Sequence, residues 1–132
     1  VADDYTHHPA EIQATLSAAK ELGFTRIIAV HQPFTYSRTA RLLDDFARVL
    51  QIADHVVLSE IMGSREKNTI GIYAKDLAEK IPGCVWYPTL DEMSDHVLSM
   101  VQPGDLVITM GCGDVNKCAH QIVEKLKKKF GD

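Results

Sequence analysis

The apolar positions of this chain switch repeatedly between two spacings. From Pro9 to Leu22 they fall at Ile12, Leu16, Ala19 and Leu22, a spacing that lines one face of a helix. Pro9 suits the first helical position and Gly23 a stop. The run Ile27-Ile28-Ala29-Val30 then predicts a buried strand over Arg26 to Val30. Helical spacing returns from Arg38 to Leu50, with Leu42, Leu43, Phe46, Val49 and Leu50 on one face. A second strand is expected over Asp54 to Leu58, a helix over Tyr73 to Ile81, and a short strand over Cys84 to Tyr87. Thr89 and Glu92 have capping-box spacing at the head of a helix that runs to Met100. Leu106 to Met110 reads as another strand, and Val115 to Lys128 as a last helix.

Strands that alternate with helices, and are apolar without interruption, belong in a parallel sheet covered on both faces. The expected fold is therefore a Rossmann-like, three-layer α/β/α domain with a mainly parallel sheet of about five or six strands. Four runs are clear, and Val1 to Asp3 supplies a candidate fifth. No repeat, linker or low-complexity tract interrupts the pattern, so residues 1–132 read as a single domain.

Composition narrows the functional classes. Eighteen acids against fourteen Lys and Arg give a net charge of -4, which argues against nonspecific nucleic-acid binding. The run Lys127-Lys128-Lys129 falls where the last helix ends and suits its dipole. No apolar stretch approaches the roughly 20 residues of a membrane span. Cys84, Cys112 and Cys118 follow no disulfide or zinc spacing; Cys84 reads as core, and the set suggests a reducing, cytoplasmic setting.

In parallel sheets ligands bind beyond the carboxyl ends of the strands. The turns expected there are unusually polar or glycine-rich: 31–39, 59–67 and 111–114. Gly111-Cys112-Gly113-Asp114 opens a helix, and suits either a tight turn capped by Asp114 or an anion held on backbone N–H groups. It fails as a dinucleotide fingerprint, because position 116 is Asn116. Arg38, near a helix start, is placed against the dipole, which suggests an anion or carboxylate partner; a solvated surface arginine is the alternative. Tyr36 either packs under its loop or contacts ligand. Arg65, Glu66 and Lys67 form a mixed-charge loop. His7 and His8 are adjacent and so share no face, which disfavours a two-histidine metal site; one of them capping the Pro9 helix is the plainer reading. His31, His55, His96 and His120 form no usable pattern. The crowded start of the chain, Asp3-Asp4-Tyr5-Thr6-His7-His8 without a methionine, is expected to be a cut end from which an upstream domain is missing. No phosphate loop of the G-x-x-x-x-G-K-[ST] type is present in the sequence. A stand-alone nucleotide- or carboxylate-binding module remains open on these residues alone.

Four segments carry a resemblance. Residues 3–12, DDYTHHPAEI, resemble the DDYAHHPTEI segment that begins the C-terminal domain in one branch of the Mur ligase family. Residues 32–39 resemble that branch's QPHRYTRT loop, residues 64–67 its AREK segment, and residues 109–115 its TMGAGDV turn. The order matches, and the segments spread over nearly the whole chain.

The resemblance implies a third, C-terminal domain, with an N-terminal UDP-sugar domain and a central ATP-binding domain in cis. It implies an ATP-dependent ligase that joins L-alanine to UDP-N-acetylmuramate through an acyl phosphate. Mg2+ and the ATP phosphates would be held mainly by the central domain, with no metal, catalytic residue or cofactor expected in this domain alone. By position, Asp4 matches an aspartate on the ATP ribose, with His7 and His8 toward the interdomain cleft. Arg38 and Tyr36, Arg65, Gly111 and Asp114 would serve the amino acid. The chain departs from the branch at His31, where phenylalanine is usual, at Phe34-Thr35 in place of His-Arg, and at Cys112 and Asn116.

Overall fold

The computed structural model describes residues 2–4, 8–33, 35–61, 67, 69, 71–102, 104–111 and 115–130. Five strands lie in one sheet: β1 (Ala2–Asp4), β2 (Arg26–His31), β3 (His55–Ser59), β4 (Val85–Tyr87) and β5 (Asp105–Met110). Their order is β1-β5-β2-β3-β4, and every neighbouring pair is parallel. Among the described residues six helices flank them: α1 (Pro9–Glu21), α2 (Tyr36–Arg41), α3 (Leu43–Leu50), α4 (Ala74–Ala78), α5 (Leu90–Met100) and, after the last strand, α6 (Val115–Phe130).

The period-2 alternation of each strand sorts its side chains onto two faces. Ile27, Ala29, Val56, Leu58, Ile108 and Met110 pack with Ile12 and Leu16 of α1, Phe46 and Leu50 of α3, and Leu77 of α4. Ile28, Val30, Val57 and Val107 pack on the other side with Met93 and Val97 of α5 and Ile122 of α6. Each fully buried Leu or Ile contributes about 1.5–3 kcal/mol, so both layers are needed to hold the sheet. This is why the middles of β2, β3 and β5 are apolar on both faces rather than alternating.

Local chemistry sets the helix starts. The His8 Nδ1 accepts the Ala10 N–H at 3.2 Å, so His8 is the residue that caps the Pro9 helix. Thr35 Oγ1 accepts the Arg38 N–H at 3.3 Å, and Thr89 Oγ1 the Glu92 N–H at 3.2 Å. The expected single helix over Arg38 to Leu50 is in fact two. It begins earlier, at Tyr36, because Thr35 caps it, and it breaks at Leu42, whose φ of -109° and ψ of 20° leave the helical region. Leu42 and Leu43 both still pack against the first core. The fourth helix is shorter than its apolar spacing, ending at Ala78.

The amino edge of the sheet is tied by side chains. Arg26 donates to both carboxylate oxygens of Asp105, at 3.2 and 2.6 Å, and to the Met100 carbonyl at 2.7 Å. The Arg26 guanidinium holds the Asp105 carboxyl below its usual range. Asp54 accepts the Ile27 N–H at 2.7 Å. Gly104, at φ 95°, lies so close to Thr25 that a Cβ there would stand 2.6 Å from Thr25 Oγ1.

Candidate functional site at the carboxyl edge

Because all five strands run the same way, their carboxyl ends form one edge. Asp4 and His31 both stand opposite Met110, one on each side of β5. After β1 and β2 the chain leaves toward α1 and α3 in the first layer; after β5 it leaves toward α6 in the second. Connections therefore diverge at the end of β5, and divergence of this kind opens a crevice for ligand. Gly111 follows β5 directly and is buried at φ 151°, a conformation that side chains disfavour.

His31 is the least expected residue of this edge. It is 1% exposed, and its ring lies 5.7 Å from Phe46. Its Nδ1–H donates to the Met110 carbonyl at 3.0 Å, and that carbonyl also accepts the Gln32 N–H at 3.3 Å. With Nδ1 as donor, Nε2 keeps a lone pair, and neither Nε2 nor the buried Gln32 Oε1 has a partner. Burial pushes the His31 pKa down to about 4, so the ring is neutral near pH 7.

Beside it, Thr35, Ser37, Arg38 and Arg41 line a groove of about 280 Å³. Arg38 is half-buried in the first turn of α2, the third residue rather than the first as its spacing suggested. Among the described residues the ion pairs are formed by Arg26, Arg48, Lys80 and Lys125, and neither Arg38 nor Arg41 enters one. Tyr36 begins the same helix and is half-buried. A groove with two arginines and two hydroxyls suits a carboxylate or phosphate.

The remaining candidates divide cleanly. Asp4 ends β1 next to Met110, and His8 is exposed at the cap of α1, so both lie at the same edge as Gly111. His7, Arg65 and Asp114 lie outside the described residues, as do Phe34 and Cys112. Sequence spacing held no signal for His31, nor for Glu60, whose partner Ala74 is 14 positions away. It also missed a cluster on the second face, where His55 and His96 Nε2 atoms meet at 3.2 Å and Tyr87 Oη meets His96 Nδ1 at 3.0 Å. Burial lowers the pKa of both histidines, and the Arg26 charge adds to the effect at His55. Among the described residues no three His, Cys, Asp or Glu side chains gather as a metal set, and no helix is long and apolar enough to cross a membrane.

A fully parallel sheet with helices on both faces defines a Rossmann-like α/β domain. The chain belongs to the family described as Mur ligase, glutamate ligase domain, whose model matches residues 1–113. It is 41% identical over 127 residues to the UDP-N-acetylmuramate–L-alanine ligase of Caldicellulosiruptor saccharolyticus, covering 93% of this chain and 28% of that protein. The corresponding ligase of Lachnospira eligens is 44% identical over 128 residues, covering 94% and 28%. The chain thus spans about 28% of the length of these curated relatives. Solved structures share the fold. The UDP-N-acetylmuramate–alanine ligase of Thermotoga maritima superposes at a TM-score of 0.75 with 24% identity, over 96% of this chain and 26% of that one. A domain assigned to a UDP-N-acetylmuramate:L-alanyl-γ-D-glutamyl-meso-diaminopimelate ligase of Haemophilus ducreyi superposes at 0.70 with 22% identity, over 94% and 88%.

Proposed function

We propose that this chain is the C-terminal domain of an ATP-dependent ligase that joins L-alanine to UDP-N-acetylmuramate, a cytoplasmic step of peptidoglycan precursor synthesis. The observation that carries the reading is 41–44% identity to ligases of that name along more than nine-tenths of the chain. Those ligases extend well beyond the matched segment, so a UDP-sugar domain and a central ATP-binding domain in cis are part of the proposal. The binding-only alternative has no comparable support.

In this reading ATP converts the muramate carboxylate into an acyl phosphate, and the alanine amine displaces phosphate to form the amide. Mg2+ would offset the phosphate charge from the central domain; the described residues here offer it no donor set. This domain contributes by closing over the reactants. Asp4, with His7 and His8, would face the ATP ribose side and the cleft. Arg38 would take the amino acid's carboxylate, since a guanidinium fork matches two carboxylate oxygens. Tyr36, Arg65, Gly111 and Asp114 would complete that pocket.

Separating the domain from its parent tests this. The parent without these residues should lose ATP-dependent incorporation of L-alanine into UDP-N-acetylmuramate. Rejoining the chain covalently should restore it, and Asp4→Ala in the joined protein should weaken ATP handling with the fold intact. No turnover on rejoining would sink the proposal.

A further inference from the structure

We propose that Glu60 is a positioning residue for the amino-acid side of the carboxyl edge, because one of its oxygens joins both ends of the connection that follows β3. The functional half of this rests on the reading above, in which that connection bears on the amino acid through Arg65.

Glu60 directly follows Ser59, the last residue of β3. Its Oε1 accepts the N–H of Ile61 at 3.1 Å and the N–H of Ala74 at 2.8 Å. Ala74 is the first residue of α4, whose opening N–H groups have no partner within the helix. The neighbouring Tyr73 N–H is taken separately, by Asp76 Oδ2 at 2.8 Å. Both ends of the connection are therefore held by carboxylates, and one carboxylate touches both ends at once.

Each end is also set in the core. Ile61 is 5% exposed, Ile72 8% and Ala74 0%, and Leu77 of α4 is fully buried. Packing alone fixes the orientation of these ends loosely, since apolar contacts are non-directional. Two charge-assisted bonds to a single oxygen fix the two peptide groups against each other in distance and direction. Ile61 and Ala74 are then held through one anchored point just beyond the carboxyl end of β3, and a misplacement of about 1 Å at a ligand edge is enough to cost binding.

The same acceptor geometry is available to an amide. Glu60→Gln keeps Oε1 and should keep the tie, whereas Glu60→Ala removes it and Glu60→Asp is one methylene too short to reach both N–H groups. In the full 132-residue chain, hydrogen exchange at the Ala74 amide should speed up at least about 100-fold in Glu60→Ala, and remain near wild type in Glu60→Gln. In the joined ligase, Glu60→Ala should raise KM for L-alanine about 10-fold, with kcat and KM for ATP within about twofold, and Glu60→Gln should restore the wild-type value. If Glu60→Ala does not fold, Glu60→Asp should show the same split at smaller size.

Unchanged Ala74 exchange would refute the tie. Faster exchange with an unaltered KM for L-alanine would reduce Glu60 to a structural anchor and refute the positioning role. A wild-type joined protein that ligates no alanine would overturn the amino-acid role altogether, and the exchange result would still decide the tie on its own.

Discussion

The two edges of this sheet are built from the same parallel backbone and treated in opposite ways. At the amino edge, Arg26 is bonded to Asp105 and to the Met100 carbonyl, Asp54 takes the Ile27 N–H, and Asp105 also takes the Gln102 N–H. Donors and acceptors there are matched by other parts of the same chain. At the carboxyl edge, His31 Nε2 and Gln32 Oε1 are buried without partners, and among the described residues no acid lines the groove that holds Arg38. A buried polar atom without a partner costs about 1–3 kcal/mol. One edge is therefore closed for stability, while the other carries a cost that a stability role does not explain. Unmatched chemistry at the edge where parallel sheets bind ligands is the pattern a substrate-facing surface produces.

The largest effect should come from the open edge. Arg38→Ala in the joined ligase is expected to raise KM for L-alanine about 100-fold, the loss of roughly 2.7 kcal/mol from a paired, charge-assisted contact. Arg41→Ala, on the exposed side of the same groove, should change it less than about threefold. Equal effects would mean a diffuse field and not a carboxylate site. Next comes His31. In the unfolded chain it takes a proton near pH 6.5, in the fold only near 4. Its contribution to stability is therefore full above about 6.5 and falls away as the pH drops toward 4. Between pH 7.5 and 4.5 the wild type should lose about 2.5 kcal/mol more than His31→Phe. Denaturant midpoints at the two pH values measure this, with His55 and His96 present in both proteins. The same acid loss in wild type and variant would show that His31 is not the buried base described.

The contrast between edges also explains what was readable in the sequence. Strands and core were legible because both faces are covered, so that Ile27 to Val30 is apolar without a break and Leu106 to Met110 is broken only by Thr109. The carboxyl edge was legible as polar turns after strands, and the place of Arg38 as a charge near a helix start. The break at Leu42 was not, since neither glycine nor proline marks it and packing of Leu42 and Leu43 decides it. Nor was the closed edge. The Arg26–Asp105 pair joins residues 79 apart, and no local spacing announces such a contact. His31 hid for another reason: a histidine in an aromatic's place is indistinguishable in sequence from a surface residue until its neighbours are known.

At the closed edge the expected change is one of stability alone. Asp105→Ala removes three hydrogen bonds and leaves the Arg26 guanidinium without its carboxylate. Arg26 is about a third exposed, so solvent recovers part of the loss, and about 2 kcal/mol should remain. Chemical denaturation of the chain measures it, while KM for L-alanine in the joined ligase should stay within about twofold. A rise in KM comparable to that of Arg38→Ala would dissolve the division between the edges.

The smallest effect concerns the side chains that run between them. Tyr87 lies at the carboxyl end of β4 and His55 at the amino end of β3, with His96 of α5 bridging both. One proton is shared at each contact: Tyr87 O–H to His96 Nδ1 with His96 Nε2–H to His55 Nε2, or the reverse sense throughout. Either sense needs a lone pair on one of the two Nε2 atoms, so the rings cannot both be protonated, in keeping with their lowered pKa values. The cluster is partly exposed, so a double-mutant cycle of Tyr87→Phe and His96→Phe at pH 8 should give a coupling of only about 0.5–1 kcal/mol. Stability from the pair is full above about 6.5 and declines as the pH falls below it, so the coupling should shrink by pH 5. A coupling near zero at pH 8 would mean that the hydrogen bonds add nothing to the packing of the rings. A coupling unchanged at pH 5 would mean that the pair tolerates the proton. The cycle should also leave KM for L-alanine untouched, because of these three side chains it is Tyr87 that lies at the carboxyl end of a strand, and β4 is separated from β5 by β2 and β3.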